Sequence, residues 1–343
     1  MFCPLNPMYE TESDFILDKN EPPIIHNPEN LKVSYYQQLP KKYVNILTTF
    51  MAENDCTITG NTTEITPDLI QRYNLSKSLY VLMHEEMSSD RLVGVIIGLN
   101  MPVFHEVLFS GAYATFLCVH RNYRQHGYAR ILIQHLSYYA YLLYHNVFGY
   151  YITTEKHHTV NTEVLSWYRP INIDKLKSAK YTLQPHEHQK LWYVVPPCQE
   201  TVITASASAG DYERVSFLLK KGEIYLNLKK KDYLKLLEMF DIFLIGDVVL
   251  LMIPMNATVN GILIRQYHLA LMIGNKDGRS SLDKAIYLAS QQRYDVVTGW
   301  CCGDVTEADV RQEKGLITVV KAYLECYNSS KMIAPADWFL PIF

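Results

Sequence analysis

The sequence predicts a mixed α/β (α+β) protein of two lobes, each with helices packed against a sheet. Three observations indicate this. Apolar residues recur with the period of strands in some segments and with the period of helices in others. The order hairpin, strand, helix, strand appears between residues 79 and 153, and a similar order follows residue 200. With 343 residues, 48% of them hydrophobic, the chain can fill the cores of two domains.

The first forty residues predict an extended arm. They hold six of the fifteen prolines and show no helical period. Residues 41–197 are expected to form the first lobe. Residues 198–343, which follow the pair Pro196 and Pro197, are expected to form the second.

The first lobe shows a regular pattern of segments. The turn residues Ser88, Ser89 and Asp90 predict a hairpin turn between its first two strands. In chain order the predicted segments are helix Tyr43–Met51, strands Leu79–His84, Arg91–Leu99 and Phe109–Val119, loop Arg121–Gly127, helix Tyr128–His145 and strand Phe148–Thr153.

The second lobe shows a similar order of strands and helices, but no repeat of individual residues is visible. The apolar stretch Phe240–Met255 contains Asp241 and Asp247 and is shorter than the roughly 20 apolar residues of a membrane helix, so it predicts two buried strands. The other predicted segments are helices Asp211–Lys220 and Lys231–Met239, strand Ile262–Ile273, helix Leu282–Gln292 and strand Tyr294–Thr298.

Composition excludes several classes of protein. A net charge of -3 gives no basic field for nucleic acid. The seven cysteines include no Cys-x-x-Cys pair, and the N-terminus has no signal-peptide pattern, so we expect a reducing, cytoplasmic location. The histidines at His157–His158 and His186–His188 have no metal-ligand spacing. We expect a monomer without a metal ion or an integral membrane segment.

The loop that follows the third strand has the features of a pyrophosphate site. Backbone N–H groups at a helix N-terminus attract phosphate, and a glycine lets it approach the main chain. Because a strand precedes the loop directly, we favour this interpretation over a plain turn into a helix. The predicted contact residues are Arg124, Gln125, His126, Gly127, Tyr128 and Ala129.

The strand before the loop would lie beside a thioester carried by such a pyrophosphate cofactor. Acyl transfer builds negative charge on the thioester oxygen, and two N–H groups freed by a bulge can stabilise it. We assign these groups to Phe116 and Leu117, with Cys118 and Val119 completing the cofactor-facing stretch. A buried core strand is the alternative. In an apolar strand the Cys118 thiol would be a poor nucleophile.

The residues Phe116–Arg121 (FLCVHR) resemble the Phe-Leu-Cys-x-His-Lys signature of protein N-myristoyltransferases, in register with the loop. Tyr151–Thr154 stands where that family has Tyr-Thr-Ala-Gly, and Trp167–Asn172 where it has Trp-His-Arg-Ser-Leu-Asn. Arg91–Gly94 is similar to its Lys-Leu-Val-Gly strand. The resemblance is dense between residues 91 and 182.

The resemblance implies two GNAT-type acyltransferase lobes related by a pseudo-twofold axis. It implies transfer of a fatty acyl group, myristoyl, from acyl-CoA to the N-terminal glycine of a protein or peptide, by direct attack of the amine. Tyr151, Thr153 and Trp167 would contact the peptide. The carboxylate of Phe343 would be the base, as the C-terminal carboxylate is in that family.

Several departures leave alternatives open. The family loop reads Arg-Ser-Lys-Arg-Leu-Ala, whereas Gln125, His126 and Gly127 carry fewer cations. The family's acidic loop corresponds to Asp55–Gly60, with one acid, and its Lys-Phe-Gly-x-Gly-Asp-Gly motif is absent. The chain could therefore use another acyl-CoA or amine. It could also be a catalytically inactive binding protein with the same fold.

Overall fold

A computed structural model of the chain describes residues 25, 28–54, 63–74, 78–86, 88–105, 107–145, 148–153, 161–181, 194–222, 224–274, 278–312, 316–327, 335 and 338–339. The strands are β1 (Leu31–Tyr36), β2 (Thr63–Glu64), β3 (Ser78–Glu85), β4 (Ser88–His105), β5 (Val107–Val119), β6 (Phe148–Thr153), β7 (Asn161–Pro170), β8 (Val202–Thr204), β9 (Ile224–Leu226), β10 (Asp241–Ile245), β11 (Val248–Val259), β12 (Ile262–Ile273), β13 (Val296–Trp300), β14 (Ile317–Tyr327) and β15 (Trp338–Phe339). The helices are α1 (Lys41–Glu53), α2 (Pro67–Tyr73), α3 (Tyr128–Tyr144), α4 (Ile173–Ser178), α5 (Ala209–Leu219), α6 (Lys230–Met239), α7 (Gly278–Gln291) and α8 (Glu307–Gln312).

The chain divides into two compact units. Unit 1 comprises Met1–Thr59, Ile65–Thr162 and Tyr323–Met332, and unit 2 comprises Gly60–Glu64, Glu163–Ala322 and Ile333–Phe343. The longest segment of unit 1 ends at Thr162, and the longest segment of unit 2 begins at Glu163. The predicted lobe boundary between residues 197 and 198 lies inside unit 2. Within the predicted N-terminal arm, residues 31–36 form strand β1.

The sheet of unit 1 has the strand order β1-β3-β4-β5-β6, followed by the Tyr323–Tyr327 part of β14. The pairs β1–β3, β3–β4 and β4–β5 are antiparallel, whereas β5 and β6 are parallel. Parallel neighbours need a crossover connection, and α3 provides it. The loop that enters α3 therefore lies at the carboxyl end of β5.

Two glycines of β4 allow α3 to pack closely on the sheet of unit 1. A Cβ atom at Gly94 would lie 2.7 Å from Leu132 Cδ1, and one at Gly98 would lie 2.7 Å from Leu136 Cδ1. Both leucines belong to the apolar core between the helix and the sheet. The start of α3 is thereby fixed relative to β4 and β5.

The sheet of unit 2 has the strand order β7-β13-β12-β11-β10-β8. Strands β12 and β13 are parallel and are joined through α7, while the pairs β7–β13, β12–β11, β11–β10 and β10–β8 are antiparallel. The main core of unit 2 includes Trp167, Tyr267 and Leu282. Strand β2 pairs with β11, and β15 pairs with β9.

This architecture confirms the predicted mixed α/β fold, and most of the predicted segments recur as helices and strands within a few residues of their predicted bounds. The predicted turn at Ser88–Asp90 is wrong, because Ser88 pairs with Glu85 and the three residues begin β4. The hairpin of β4 and β5 also extends to the pair His105 and Val107, beyond the predicted ends. Among the described residues, no helix has both the length and the apolar character needed to span a membrane.

Candidate active site

Strand β5 carries a β-bulge at the two residues predicted to stabilise an oxyanion. Val95 pairs with Cys118 and Ile97 with Thr115, so Phe116 and Leu117 together lie opposite one residue of β4. A bulge of this kind releases main-chain groups from the ladder. Phe116 also has a φ of +52°, which is unusual for a bulky side chain. The backbone thus departs from a regular strand at the predicted position, while the catalytic role of its N–H groups stays a prediction.

Side-chain packing holds the bulge in place on both faces of the sheet. The Phe116 ring, 5% exposed, packs edge-on against Tyr73 of α2 with 4.9 Å between ring centroids. Leu117 packs with the core under α3 on the other face. A left-handed residue persists only where its surroundings fix it, and these contacts supply that constraint.

The bulge lies beyond the paired part of β5 and β6. The described parallel register joins residues Gly111, Ala112 and Tyr113 to Phe148, Gly149 and Tyr150. The pairing with β6 therefore stops three residues before Phe116, while β4 continues to pair with β5 up to Val119. In the described part of the chain, the register thus pairs the bulge with β4 and not with β6.

The loop after β5 presents the N-terminus of α3. It consists of a 3₁₀ turn over Arg121–Tyr123, followed by left-handed residues Gln125 (φ +69°) and Gly127 (φ +80°). Gly127 is the N-cap and makes no side-chain capping bond, and a Cβ atom there would meet nothing within 4 Å. The first N–H groups of α3 have no partner within an α-helix, so they can receive a phosphate.

The exposed side chains of the loop differ in whether they bond main-chain carbonyls outside the loop. Gln125 and His126 are exposed, and the His126 ring stacks on Tyr128 with 6.0 Å between centroids. The Arg124 guanidinium, by contrast, donates from Nε to the Val119 carbonyl at 3.1 Å and from Nη2 to the Asn54 carbonyl. Ala129 is half-buried in the first turn of α3.

The remaining predicted residues lie in different places. Cys118 is buried, Val119 ends β5, and Tyr151 and Thr153 lie on β6 of unit 1, opposite Glu325 and Tyr323 of β14. Trp167 belongs to unit 2 and is 1% exposed. Its ring lies so close to Gly299 that a Cβ atom there would be 2.5 Å from Trp167 Cζ2. Trp167 is therefore a core residue in this structure. Phe343 and the loop Asp55–Gly60 lie outside the described residues.

Two residues near the loop were not predicted from the sequence. Asn54 accepts the Arg121 N–H at 2.9 Å, and Glu85 accepts a hydrogen bond of 2.7 Å from the Tyr123 hydroxyl. The Tyr123 hydrogen bond, supported by Arg91, holds the pKa of Glu85 below its usual value. Asn54 is the C-cap of α1, and its position in the sequence gives no sign of its contact with the loop.

The described ranges contain no group of three or more His, Cys, Asp or Glu side chains placed to hold a metal ion.

Comparison with known proteins identifies the fold. Neither a protein-family model nor a curated protein sequence matches the chain. A crystal structure of Saccharomyces cerevisiae N-myristoyltransferase with bound myristoyl-CoA matches with a TM-score of 0.75 and 14% identity, over 95% of this chain and 90% of that chain. Another structure of the yeast enzyme, with bound myristoyl-CoA and inhibitors, matches with a TM-score of 0.74 and 14% identity, over 98% and 90% of the two chains. The chain therefore has the fold of N-myristoyltransferase.

Proposed function

We propose that this chain transfers a fatty acyl group, myristoyl, from acyl-CoA to the N-terminal glycine amine of a peptide or protein. One observation carries the proposal. Unit 1 combines a bulge at Phe116 and Leu117 with a glycine-capped helix N-terminus at Gly127, a few residues further along the chain. The fold is shared with an enzyme whose structure contains bound myristoyl-CoA, which supports acyl-CoA as the co-substrate.

In the proposed mechanism, the N-terminus of α3 holds the pyrophosphate of acyl-CoA, and the thioester lies along the end of β5. The glycine amine attacks the thioester carbonyl carbon, and the N–H groups of Phe116 and Leu117 stabilise the oxyanion that forms. The carbon–sulfur bond then breaks, the electron pair leaves with the CoA sulfur, and the resulting thiolate takes the second proton of the nitrogen, so that the products are an amide and free CoA. Alignment of two bound substrates contributes much of the rate increase.

A base must take a proton from the glycine ammonium before it can attack. The resemblance to N-myristoyltransferases assigns this role to the Phe343 carboxylate. No acyl-enzyme is required. Cys118 of β5 is buried, which is consistent with direct transfer, because a buried thiol is poorly placed to attack a bound thioester.

A peptide-transfer assay tests the proposal. The purified chain is incubated with myristoyl-CoA and a peptide that begins with glycine, and the product is identified by mass spectrometry. We expect a mass increase of one myristoyl group at the N-terminus. The same peptide with an acetylated N-terminus is the control and should not react. Absence of any acylated peptide, at enzyme concentrations comparable to the peptide, would contradict the proposed reaction.

A second candidate is an acyltransferase that uses another acyl-CoA. The loop residues Gln125, His126 and Gly127 favour it, because they carry fewer cations than the family loop and include a glycine. In the same assay, faster transfer from acetyl-CoA than from myristoyl-CoA would favour this candidate.

A further inference from the structure

Asn54 ends helix α1 and lies next to the loop that enters α3. It is 3% exposed, although its side chain is polar. Its main-chain N–H donates to the Phe50 carbonyl at 3.2 Å, and its side-chain Nδ2 donates to the same carbonyl at 2.8 Å. These two bonds fix the orientation of the amide, so that Oδ1 faces away from the helix it terminates.

The Asn54 Oδ1 atom accepts the main-chain N–H of Arg121 at 2.9 Å, across 67 residues of sequence. Arg121 is the first residue of the 3₁₀ turn that leads into the loop. A buried amide that accepts a main-chain N–H is costly to remove, because the donor is left without a partner. The side chain of Asn54 thus holds the beginning of the loop.

The main-chain carbonyl of Asn54 holds the end of the same turn. It accepts a hydrogen bond from Arg124 Nη2, while Arg124 Nε donates to the Val119 carbonyl at 3.1 Å. The planar guanidinium therefore joins the last residue of β5 to the end of α1. The left-handed residues Gln125 and Gly127 follow directly, so their orientation depends on where Arg124 is held.

We propose that Asn54 is a positioning residue for the acyl-CoA loop, and that Arg124 acts as the second half of the same brace. Neither residue needs to contact the reacting atoms. Together they fix residues 121–124 so that the exposed N–H groups at the start of α3 point to one place. The inference rests on the proposed function, since it assigns the loop to the pyrophosphate of acyl-CoA.

The structure offers a matched control in Asn74. This residue ends helix α2, and its side chain also bonds distant main-chain atoms, accepting from the Leu39 N–H at 2.6 Å and donating to the Leu39 carbonyl at 2.9 Å. It is bonded to Leu39 and not to the loop. The substitutions Asn54→Ala and Asn74→Ala therefore remove the same type of interaction, one at the loop and one away from it.

The experiment measures binding of CoA and of pantetheine, which lacks the pyrophosphate, by calorimetry at a temperature where every variant is folded. We expect Asn54→Ala to weaken CoA binding about tenfold, equivalent to about 1.4 kcal/mol, and to change pantetheine binding less than about twofold. Asn74→Ala should leave both affinities unchanged, although it lowers the melting temperature. An Asn54→Ala protein that binds CoA like the wild type would overturn the proposal. Equal losses of affinity for CoA and for pantetheine would also overturn it, as would equal losses of CoA affinity in the two variants.

Hydrogen exchange of the ligand-free protein provides an independent measurement. Exchange in a peptide covering residues 119–128 should be faster in Asn54→Ala than in the wild type and unchanged in Asn74→Ala. If Asn54→Ala does not fold, Arg124→Met at the exposed end of the brace should give the same faster exchange. An arginine that only bound phosphate would have no such effect, because exchange is measured without ligand. Unchanged exchange would refute the brace. A wild-type protein that binds no CoA would refute the proposed function instead.

Discussion

The phenol of Tyr123 donates a hydrogen bond of 2.7 Å to the carboxylate of Glu85, 38 residues earlier in the chain. This bond connects the turn before the loop to the end of β3, and Arg91 Nη1 donates to the same carboxylate at 3.1 Å. The bond lowers the pKa of Glu85 and raises the pKa of Tyr123. Stability should therefore depend on pH through this pair.

Replacing Tyr123→Phe should destabilise the protein near neutral pH and much less at the extremes. The pKa of Glu85 is lowered in the folded state, so its contribution is present above its unfolded pKa of about 4 and is lost as pH falls through the lower folded value. The pKa of Tyr123 is raised, so its contribution is present below about 10 and is lost as pH rises further. Urea unfolding of both proteins across this range tests the prediction. A stability difference that does not vary with pH would count against it.

Substitution of Gly127→Ala should reduce both stability and CoA affinity. Gly127 has a φ of +80°, and an L-residue in this region costs about 1 kcal/mol. Gly261 is a matched control in unit 2, since it has a φ of +78° and a Cβ atom there would also meet nothing within 4 Å. We expect Gly261→Ala to cost similar stability and to leave CoA binding unchanged. Equal CoA affinity for the two variants would show that Gly127 has no part in the cofactor site.

Asp295 should be a main determinant of the stability of unit 2. Its carboxylate, 4% exposed, lies 2.6 Å from Lys175 Nζ and also accepts from Asn172 Nδ2 at 3.0 Å and from the Arg265 N–H at 2.8 Å. Substitution Asp295→Ala leaves these donors without their acceptor and should cost about 3 kcal/mol, while Lys175→Met should cost about 1 kcal/mol.

The exposed pair Lys321 and Glu163 gives the control for that measurement. Their charged atoms are 2.7 Å apart, but their side chains are 65% and 48% exposed. Lys321→Met should therefore cost less than about 0.5 kcal/mol. Urea unfolding gives all three values. If Lys175→Met and Lys321→Met had the same small effect, burial of Asp295 would not strengthen its ion pair.

Trp167 should behave as a core residue. Its substitution Trp167→Phe removes buried indole surface against Gly299 and should cost about 1–3 kcal/mol of unfolding free energy. The KM for a peptide substrate should stay unchanged. A large rise in KM without a loss of stability would instead support the peptide contact that the sequence resemblance implies.

Much of the fold follows from periodicity in the sequence. The bounds of β6 and β12 agree with the prediction, and α3 differs by one residue, because these segments have strong apolar periods and clear turn residues at their ends. The length of the β4–β5 hairpin was underestimated. Its outer part lies around Pro102, which interrupts the usual strand pattern in the sequence.

The loop was also identifiable, since Gly127 directly precedes an apolar helix and follows a strand. The hydrogen bonds that hold the loop in place were not identifiable from the sequence. Asn54 and Arg121 are 67 residues apart, and Glu85 and Tyr123 are 38 apart, so neither contact leaves a local pattern. The bulge lies where it was predicted, at Phe116 and Leu117, although no glycine in the sequence indicates the positive φ of Phe116.

Calorimetric titration of the wild-type chain with myristoyl-CoA, acetyl-CoA and CoA tests the central proposal most directly. An acyl-CoA site built from the bulge at Phe116 and the N-terminus of α3 should bind all three through the shared pyrophosphate. If a fatty acyl chain is the natural substrate, myristoyl-CoA should bind most tightly. If none of the three ligands gives measurable heat or competes with another for binding, the assignment of this site to acyl-CoA is contradicted.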